Sequence, residues 1–406
     1  VGIDIPVSST EKKEIAKRAA MKRVCIITTA HRTFSVRIFH KQAKSLAQVG
    51  YEVTLITRHD KDEVVGGVRI LALPKPKNRL QRMLGTSTAF RLALRQKADI
   101  YHFHDPELLP WGWLLQKLTH KPVIYDVHEN YTENILRKTW IPYFLRKPIA
   151  WNFDRIERAM ANRLAAIITV TEPMQERFAG CRGICVTIHN FTSREIAAKV
   201  DESKKAQGTG DQQSSIICSG GGRLDRAKVF ETTLEALGLV IGQYPDVSCV
   251  ILGLPLNPAS LDEEHGKLMK KLIKNGNLKL IERVPYPEMF AYLDAAGIGW
   301  KPEPAFNKNS IQTRILEYMA RGKPVITPAD GSLTANIIRE AECGILVKPY
   351  QAQSHASALL YLLEHLEEAK KMGENGRKAV LKKYNWETES QKLLNLYAEL
   401  LGGNNV

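Results

Sequence analysis

"SIQTRILEYMARGKPVITPADGS", Ser310 to Ser332, contains a short amphipathic helix, a tight stop and a buried strand. Ser310 suits the N-cap, and Ile311, Ile315, Leu316 and Met319 recur at helical spacing. Gly322 and then Pro324 end the helix, and "VIT" follows as a short apolar strand. Glu317 lies within this apolar face, and Asn309 lies eight positions before it. A carboxylate flanked by core residues needs hydrogen-bond donors. A ribose diol would supply two, and Arg314, one turn earlier, would supply an intraprotein alternative.

The same helix–strand alternation extends in both directions. From Met21, "RVCIITTA", "YEVTLIT", "VRILALP", "DIYHFHD", "PVIYDVHE", "AAIITVTE" and "CVTIHN" are apolar runs, mostly with helical stretches between them. The first of those stretches, "SVRIFHKQAKSLAQVG", has Ile38, Phe39, Ala43, Leu46 and Ala47 on its apolar side. Such runs predict a parallel sheet covered on both faces. "REIAAKVDESKKAQGTGDQQSS" has no apolar stripe and reads as a linker. A second alternation then runs through "SIICSGGGRL", "VSCVILGLP", "LKLIERV", "AGIGWKP", "KPVITP" and "CGILVKP". "NWETESQKLLNLYAELL" closes the chain as an amphipathic helix.

The expected architecture is α/β, with two doubly wound Rossmann-like domains facing across a cleft. Residues 1–20 read as a leader or flexible extension, 21–193 as the first domain and 194–213 as the linker. Residues 214–385 read as the second domain, and 386–406 as a helix packing back on the first. The length of 406 residues agrees with this division, because single cores stop growing near ~250–300 residues. Ligands of such sheets bind beyond the carboxyl ends of the strands.

The 58 Lys and Arg against 43 Asp and Glu give a net charge of +15, which suits an anionic partner. No apolar run reaches the length of a membrane span. Of the six cysteines, Cys25, Cys218 and Cys249 lie in strand-like runs as small buried thiols. Cys181 and Cys185 lack the spacing and the second pair of a metal site. A reduced, cytosolic protein is expected.

Several strand ends carry reactive side chains. "GGGRLDRAK", Gly220 to Lys228, follows a strand without the Walker spacing. Its glycines admit close backbone approach, and Arg223 and Lys228 offer a fork and a point charge for a diphosphate. A glycine turn with two solvated bases is the plainer reading. His128 and Glu129 fall just past another strand, as does Asp105, for which a helix cap is favoured. There is no Asp-x-Asp pair at a strand end, no His/Cys cluster of metal-ligand spacing and no Gly-x-Ser-x-Gly elbow.

Taken together, "VRIFHKQAKSLAQVGYEVTLI", "HFHDPELLP", "PVIYDVHE", "GRLDRAK", "LEYMARGKPVIT" and "CGILVKP" resemble, in order, a family 4 glycosyltransferase of the GT-B fold. The similarity covers nearly the whole chain from Met21, and its flavour is that of bacterial surface-polysaccharide enzymes. The resemblance implies a nucleotide-sugar donor, usually a UDP-sugar, bound mainly by the C-terminal domain. It implies transfer with retention and without a metal or other cofactor. By resemblance, Arg223 and Lys228 bind the diphosphate, Glu317 holds the ribose and His128 faces the donor sugar. These assignments make His128, Arg223 and Lys228 the catalytic set. Gly221, Gly222, Asn309, Ser310, Thr313 and Glu317 form the donor site, and Arg37, Asp105 and Glu129 lie on the acceptor side or in the cleft. Many relatives carry a glutamate where this chain has Asn309, which hydrogen-bonds sugar hydroxyls without a full charge. A UDP-sugar 2-epimerase-like isomerase and an inactive scaffold relative are the alternatives. A nucleic-acid binder lacks any recognisable reading motif.

Two basic stretches fall in the first domain. From Lys75 to Lys97 there are seven bases and no acid, and "RKTWIPYFLRKPIAW", Arg137 to Trp151, interleaves bases with aromatics. Either the rings lie in the core beneath a solvated basic face, or the surface meets an anionic membrane and a saccharide or polyprenyl-linked acceptor. The expected location is cytoplasmic, at the inner face of the cytoplasmic membrane in the second case.

Overall fold

The computed structural model describes residues 22–198, 215–219, 227–253, 261–282, 284–305 and 308–402. Two compact units emerge. The first runs to Asn190 and takes in the chain again from Thr388, and the second is Phe191–Glu387. The breaks therefore fall after 190 and 387, where 193 and 385 were expected. Residues 1–20 and most of the expected linker lie outside the described residues.

The first unit follows β1 (Arg23–Arg32) with a π-helical segment, Val36–Ala43, that continues as α1 (Lys44–Gln48). Next come β2 (Glu52–Arg58), β3 (Glu63–Val65), β4 (Val68–Leu73) and α2 (Arg79–Arg95). Then follow β5 (Ile100–Phe103), α3 (Leu109–Thr119), β6 (Val123–Val127), α4 (Tyr131–Arg137) and α5 (Tyr143–Ala161). The last elements before the break are β7 (Ala166–Thr169), α6 (Glu172–Glu176) and β8 (Ile184–Thr187). The sheet order is β3-β4-β2-β1-β5-β6-β7-β8, parallel except for β3. Right-handed crossovers place α2, α3 and α5 on one face and the Val36–Gln48 segment on the other. Gly112 lets α3 lie directly on β5, since a Cβ there would come 2.3 Å from the Phe103 ring.

The second unit opens with α7 (Arg194–Ala198), in a stretch read as linker from its polarity. Ala197 is buried, and backbone carbonyls of this helix accept from Arg321 and Arg377, which tie it to the unit. Then come β9 (Ser215–Ser219), α8 (Ala227–Ile241), β10 (Ser248–Leu252), α9 (Glu263–Lys274), β11 (Leu278–Ile281) and α10 (Tyr286–Ala295). They are followed by β12 (Ile298–Trp300), α11 (Thr313–Ala320), β13 (Val325–Pro328), α12 (Leu333–Ala341) and β14 (Gly344–Val347). Helices α13 (Ala352–Glu364) and α14 (Leu366–Lys382) complete the unit, and α15 (Trp386–Gly402) leads back into the first. All six strands are parallel, in the order β11-β10-β9-β12-β13-β14.

The helix of the opening stretch is α11. Ile315, Leu316 and Met319 are buried as its spacing predicts. It starts at Thr313 after the N-cap Gln312, so Ser310 does not cap it. Gln312 is held outside the helix by Thr334, which accepts from its backbone N–H at 2.8 Å. Gly299 allows α11 to sit against β12, because a Cβ there would lie 2.5 Å from Tyr318. Gly322 turns the chain with φ +66°.

Trp300 of β12 is fully buried and donates its Nε1–H to His355 Nδ1 at 3.1 Å. Burial pushes the His355 ring down from 6.5 to about 4. The unfolded chain takes up a proton below about pH 6.5 that the folded chain refuses, so stability falls with pH through this window. The contribution is about 2 kcal/mol between neutral pH and about pH 5. His355→Gln is expected to flatten this part of the pH dependence, read as urea midpoints of variant and native chain at the two pH values.

Candidate active site

In the first unit, β5 and β6 bring polar side chains to the carboxyl edge in pairs. The register sets Phe103 beside Tyr125, so His104 follows beside Asp126. Period two puts His102, His104, Asp126 and His128 on one face, while Tyr101, Phe103 and Tyr125 join the apolar core on the other.

Asp126 is the centre of this face and is fully buried. Arg37 grips it from the π-helical segment, with Nη2 3.0 Å from Oδ1 and Nε 3.3 Å from Oδ2. Gln42 Nε2 donates to Oδ2 at 2.5 Å, and Arg37 Nη1 also donates to the Ile188 carbonyl at 3.0 Å. His102 lies 3.6 Å from the same carboxylate, and its Nδ1 pairs with Tyr397 Oη at 2.9 Å. The polar residues Arg37, Lys41 and Gln42 are buried here alongside the apolar positions Ile38, Phe39 and Ala43.

The charges follow from this packing. Burial alone would raise the Asp126 carboxyl, but Arg37, then His128 and the histidine hydrogen bonds, hold it well below the usual carboxylate range. Burial, followed by the neighbouring rings of His102 and His128, pushes His104 well down. His128 is also lowered by burial, against the pull of Asp126. His104 Nδ1 and His128 Nε2 are 2.8 Å apart, so one neutral ring donates and the other accepts. His128 is thus a neutral hydrogen-bonding group at the strand end. His102, His104 and Asp126 could together approach an ion. Arg37 already supplies the positive charge on that carboxylate, so the donor set fits a guanidinium better than a metal.

Asp105 lies just past β5, and its side chain does not cap the short 3-10 turn that follows, contrary to the favoured reading. Its Oδ2 instead accepts from Thr28 Oγ1 at 2.9 Å, Thr29 N at 2.6 Å and Ala30 N at 3.1 Å. It fixes the end of β1, and with it His31, whose ring centroid lies 5.1 Å from that of His128. Glu129 is exposed and accepts from Asn134 at 2.7 Å, so it serves its own turn and stands apart from the buried cluster.

In the second unit, Glu317 is 6% exposed. Its Oε2 lies 2.7 Å from Arg314 Nη1, the intraprotein partner weighed from the sequence. The Tyr286 hydroxyl also hydrogen-bonds Glu317; burial and then that carboxylate's charge raise the phenol. A carboxylate offers about four acceptor sites, so these two partners leave capacity for a ligand hydroxyl. Asn309 is exposed, and Ser310 and Thr313 are half-buried, in and just after the loop that precedes α11. Gln312 Nε2 donates to the Glu303 carbonyl, and Asp330 accepts from Ala305 N and Ser332 N, anchoring this loop. Lys228 stands exposed in the first turn of α8, its Nζ 5.3 Å from the Tyr350 ring centroid. Gly221, Gly222 and Arg223 lie outside the described residues.

The structure adds His31, Gln42, His102, His104, Asp126 and Tyr397 to the residues singled out from sequence. The spacing of two in "HFH" and "DVH" on neighbouring strands was the available signal. Asp126→Ala is expected to cost about 3–5 kcal/mol in urea unfolding, because it strands the buried Arg37 charge. Replacing both partners, as Arg37→Leu with Asp126→Leu, should cost less than the sum of the two single changes.

Residues 35–195 match the model of Glycosyltransferase Family 4, and 199–379 match that of Glycosyl transferases group 1. A D-inositol 3-phosphate glycosyltransferase of Corynebacterium urealyticum is 25% identical over 387 residues, 88% of each chain. That of Corynebacterium glutamicum is 27% identical over 187 residues, 46% of this chain and 44% of its own length. Among solved structures, sucrose-phosphate synthase from Thermosynechococcus elongatus superposes with a TM-score of 0.69 at 21% identity, over 94% of this chain and 99% of that one. Anabaena HepE in complex with UDP-glucose gives 0.64 at 14% identity, over 93% and 99%. The two family matches together span most of the sequence, and the chain belongs to the GT-B glycosyltransferases.

Proposed function

We propose that this glycosyltransferase moves a sugar from a UDP-sugar to a saccharide or lipid-linked acceptor in surface-polysaccharide synthesis, with retention and without a metal. Glu317 carries the reading: a buried carboxylate in the helix that follows β12 of a parallel sheet, held by Arg314 and Tyr286 with acceptor capacity to spare. That arrangement suits the two hydroxyls of a ribose. The solved HepE neighbour, whose complex contains UDP-glucose, supports the choice of uridine.

The leaving nucleoside diphosphate gains charge as the glycosidic bond breaks. Arg223 and Lys228 would stabilise it, assisted by the start of α11, whose N-cap Gln312 makes no side-chain capping bond. In this reading His128 hydrogen-bonds the donor sugar as a neutral ring, and Asn309 and Ser310 meet its hydroxyls. Arg37 acts indirectly by holding Asp126, and Asp105 by holding the end of β1. The departing phosphate oxygen accepts the proton of the attacking hydroxyl on the same face of the sugar. The reaction is assigned to the cytoplasm, at the inner membrane face when the acceptor is lipid-linked. The curated relatives, named for inositol 3-phosphate, point to a phosphorylated polyol as a second acceptor class.

A nucleotide-sugar panel with EDTA tests the whole reading. Turnover of a UDP-sugar only with acceptor is expected; conversion without acceptor would mean an isomerase, and absence of both turnover and UDP binding would mean a scaffold. Glu317→Ala is expected to weaken UDP about 10–100-fold by calorimetry, the loss of hydrogen bonds to a charged group. Lys228→Ala and Arg223→Ala should each raise the barrier by ~2–4 kcal/mol, the loss of one leaving-group donor. Unchanged UDP affinity or wild-type turnover would remove the corresponding role.

A further inference from the structure

Helix α5 presents three of its rings, Tyr143, Phe144 and Trp151, to solvent, while Phe153 packs inward. Its buried stripe is Ala150, Glu157 and Ala161, spaced by seven and four. Phe144 and Trp151, also seven apart, are 74% and 58% exposed. Tyr143 is 78% exposed, and Trp140 in the preceding loop is 59% exposed. Scattered exposed apolar residues need no explanation, but a contiguous group marks an interaction surface.

Bases predominate along the stretch that carries these rings, with Glu133, paired to Arg137 at 3.8 Å, and Asp154 at its two ends. Between Glu133 and Asp154 the chain has Arg137, Lys138, Arg146 and Lys147 and no carboxylate. Bases also lie against the rings: Lys138 is 5.7 Å from the Trp140 centroid, Arg146 5.8 Å from Tyr143 and Arg155 4.7 Å from Trp151. Aromatic rings with basic neighbours suit the headgroup layer of an anionic bilayer, where each base contributes about 1 kcal/mol.

The surface continues across neighbouring helices. α3 packs on both α2 and α5. Trp111 donates to Thr86 of α2, and Gln116 to the Arg163 carbonyl just past α5. Met83 and Leu84 are exposed near the start of α2. Helices that return between parallel strands begin at the carboxyl edge of the sheet. The first turns of α2 and α5 therefore lie toward the edge that carries Asp105 and His128.

We propose that the outer face of α5, continued over α3 and α2, docks on an anionic lipid bilayer. Trp140, Phe144 and Trp151 enter the headgroup layer and the bases meet lipid phosphates. The protein attaches to one leaflet, since no helix among the described residues is long and apolar enough to cross a membrane. Delivery of a lipid-linked acceptor to the His128 edge rests on the transfer reading; docking itself does not.

Flotation of the full chain with phosphatidylcholine vesicles, with and without phosphatidylglycerol, tests the proposal. The native chain should bind the anionic vesicles at least about tenfold more tightly than the neutral ones, and high salt should weaken that binding. The double variant Phe144→Ser/Trp151→Ser should lose at least about tenfold in vesicle binding while its thermal unfolding and UDP binding match the native chain. Equal vesicle binding by variant and native chain would overturn the proposal. So would absence of native binding, or a native dimer in sedimentation that the variant converts to monomers. Loss of the transfer reading would appear in the nucleotide-sugar panel and leave the vesicle result unchanged.

Discussion

A carboxylate with no access to water cannot remain charged without a cation against it, and Asp126 is such a group. Arg37 meets it in a fork-to-fork contact across 89 residues of sequence. Taking two charges out of water is expensive, and several donors meeting one carboxylate offset that cost. Gln42 adds one further donor, and the His128 and His102 rings stand 3.4 and 3.6 Å from the carboxylate. The demand helps explain the widened π-helical turn, which buries Arg37 and Gln42 while Ile38, Phe39 and Leu46 stay in the core. It also bears on the neighbouring rings, because the Arg37 charge opposes protonation of His128. The neutral imidazole at the sheet edge is a product of burial, which outweighs the pull of Asp126 and has only minor help from Arg37.

The second unit uses a related device at lower cost. Glu317 has an arginine one turn away and a tyrosine from α10, and it keeps a small exposed fraction. Asp126 is locked into the fold, whereas Glu317 retains room for an added hydroxyl. The two carboxylates are alike in chemistry and differ in spare acceptor capacity. That difference separates a residue that builds a site from one suited to binding a ligand.

The alternation of short apolar runs and helices made both sheets legible, because a fully buried parallel strand has little choice of composition. Individual partners were less legible. Arg37 and Asp126 lie on different elements, and their pairing depends on strand order, which periodicity does not encode. Asp105 looked like a helix cap because Pro106 follows it; its Oδ2 is instead occupied by donors 75 to 77 residues earlier. Ser310 had the right chemistry for an N-cap, but Thr334 holds Gln312 in place and moves the helix start to Thr313. α5 inverts the usual pattern, with Glu157 buried on Tyr125 and Arg177 while Phe144 and Trp151 point outward. Whether those rings lay in a core was therefore undecidable from spacing alone.

The hydrogen bond between His102 and Tyr397 joins residues 295 positions apart within one unit. On a ribosome adding ~5–20 residues per second, His102 waits some tens of seconds before Tyr397 exists. For most of that interval, from Phe191 to Glu387, the second unit is being made, while the first has all its strands but lacks its last helix. The first domain to be synthesised is thus the last to be finished, and its buried polar face must tolerate solvent until the chain end arrives.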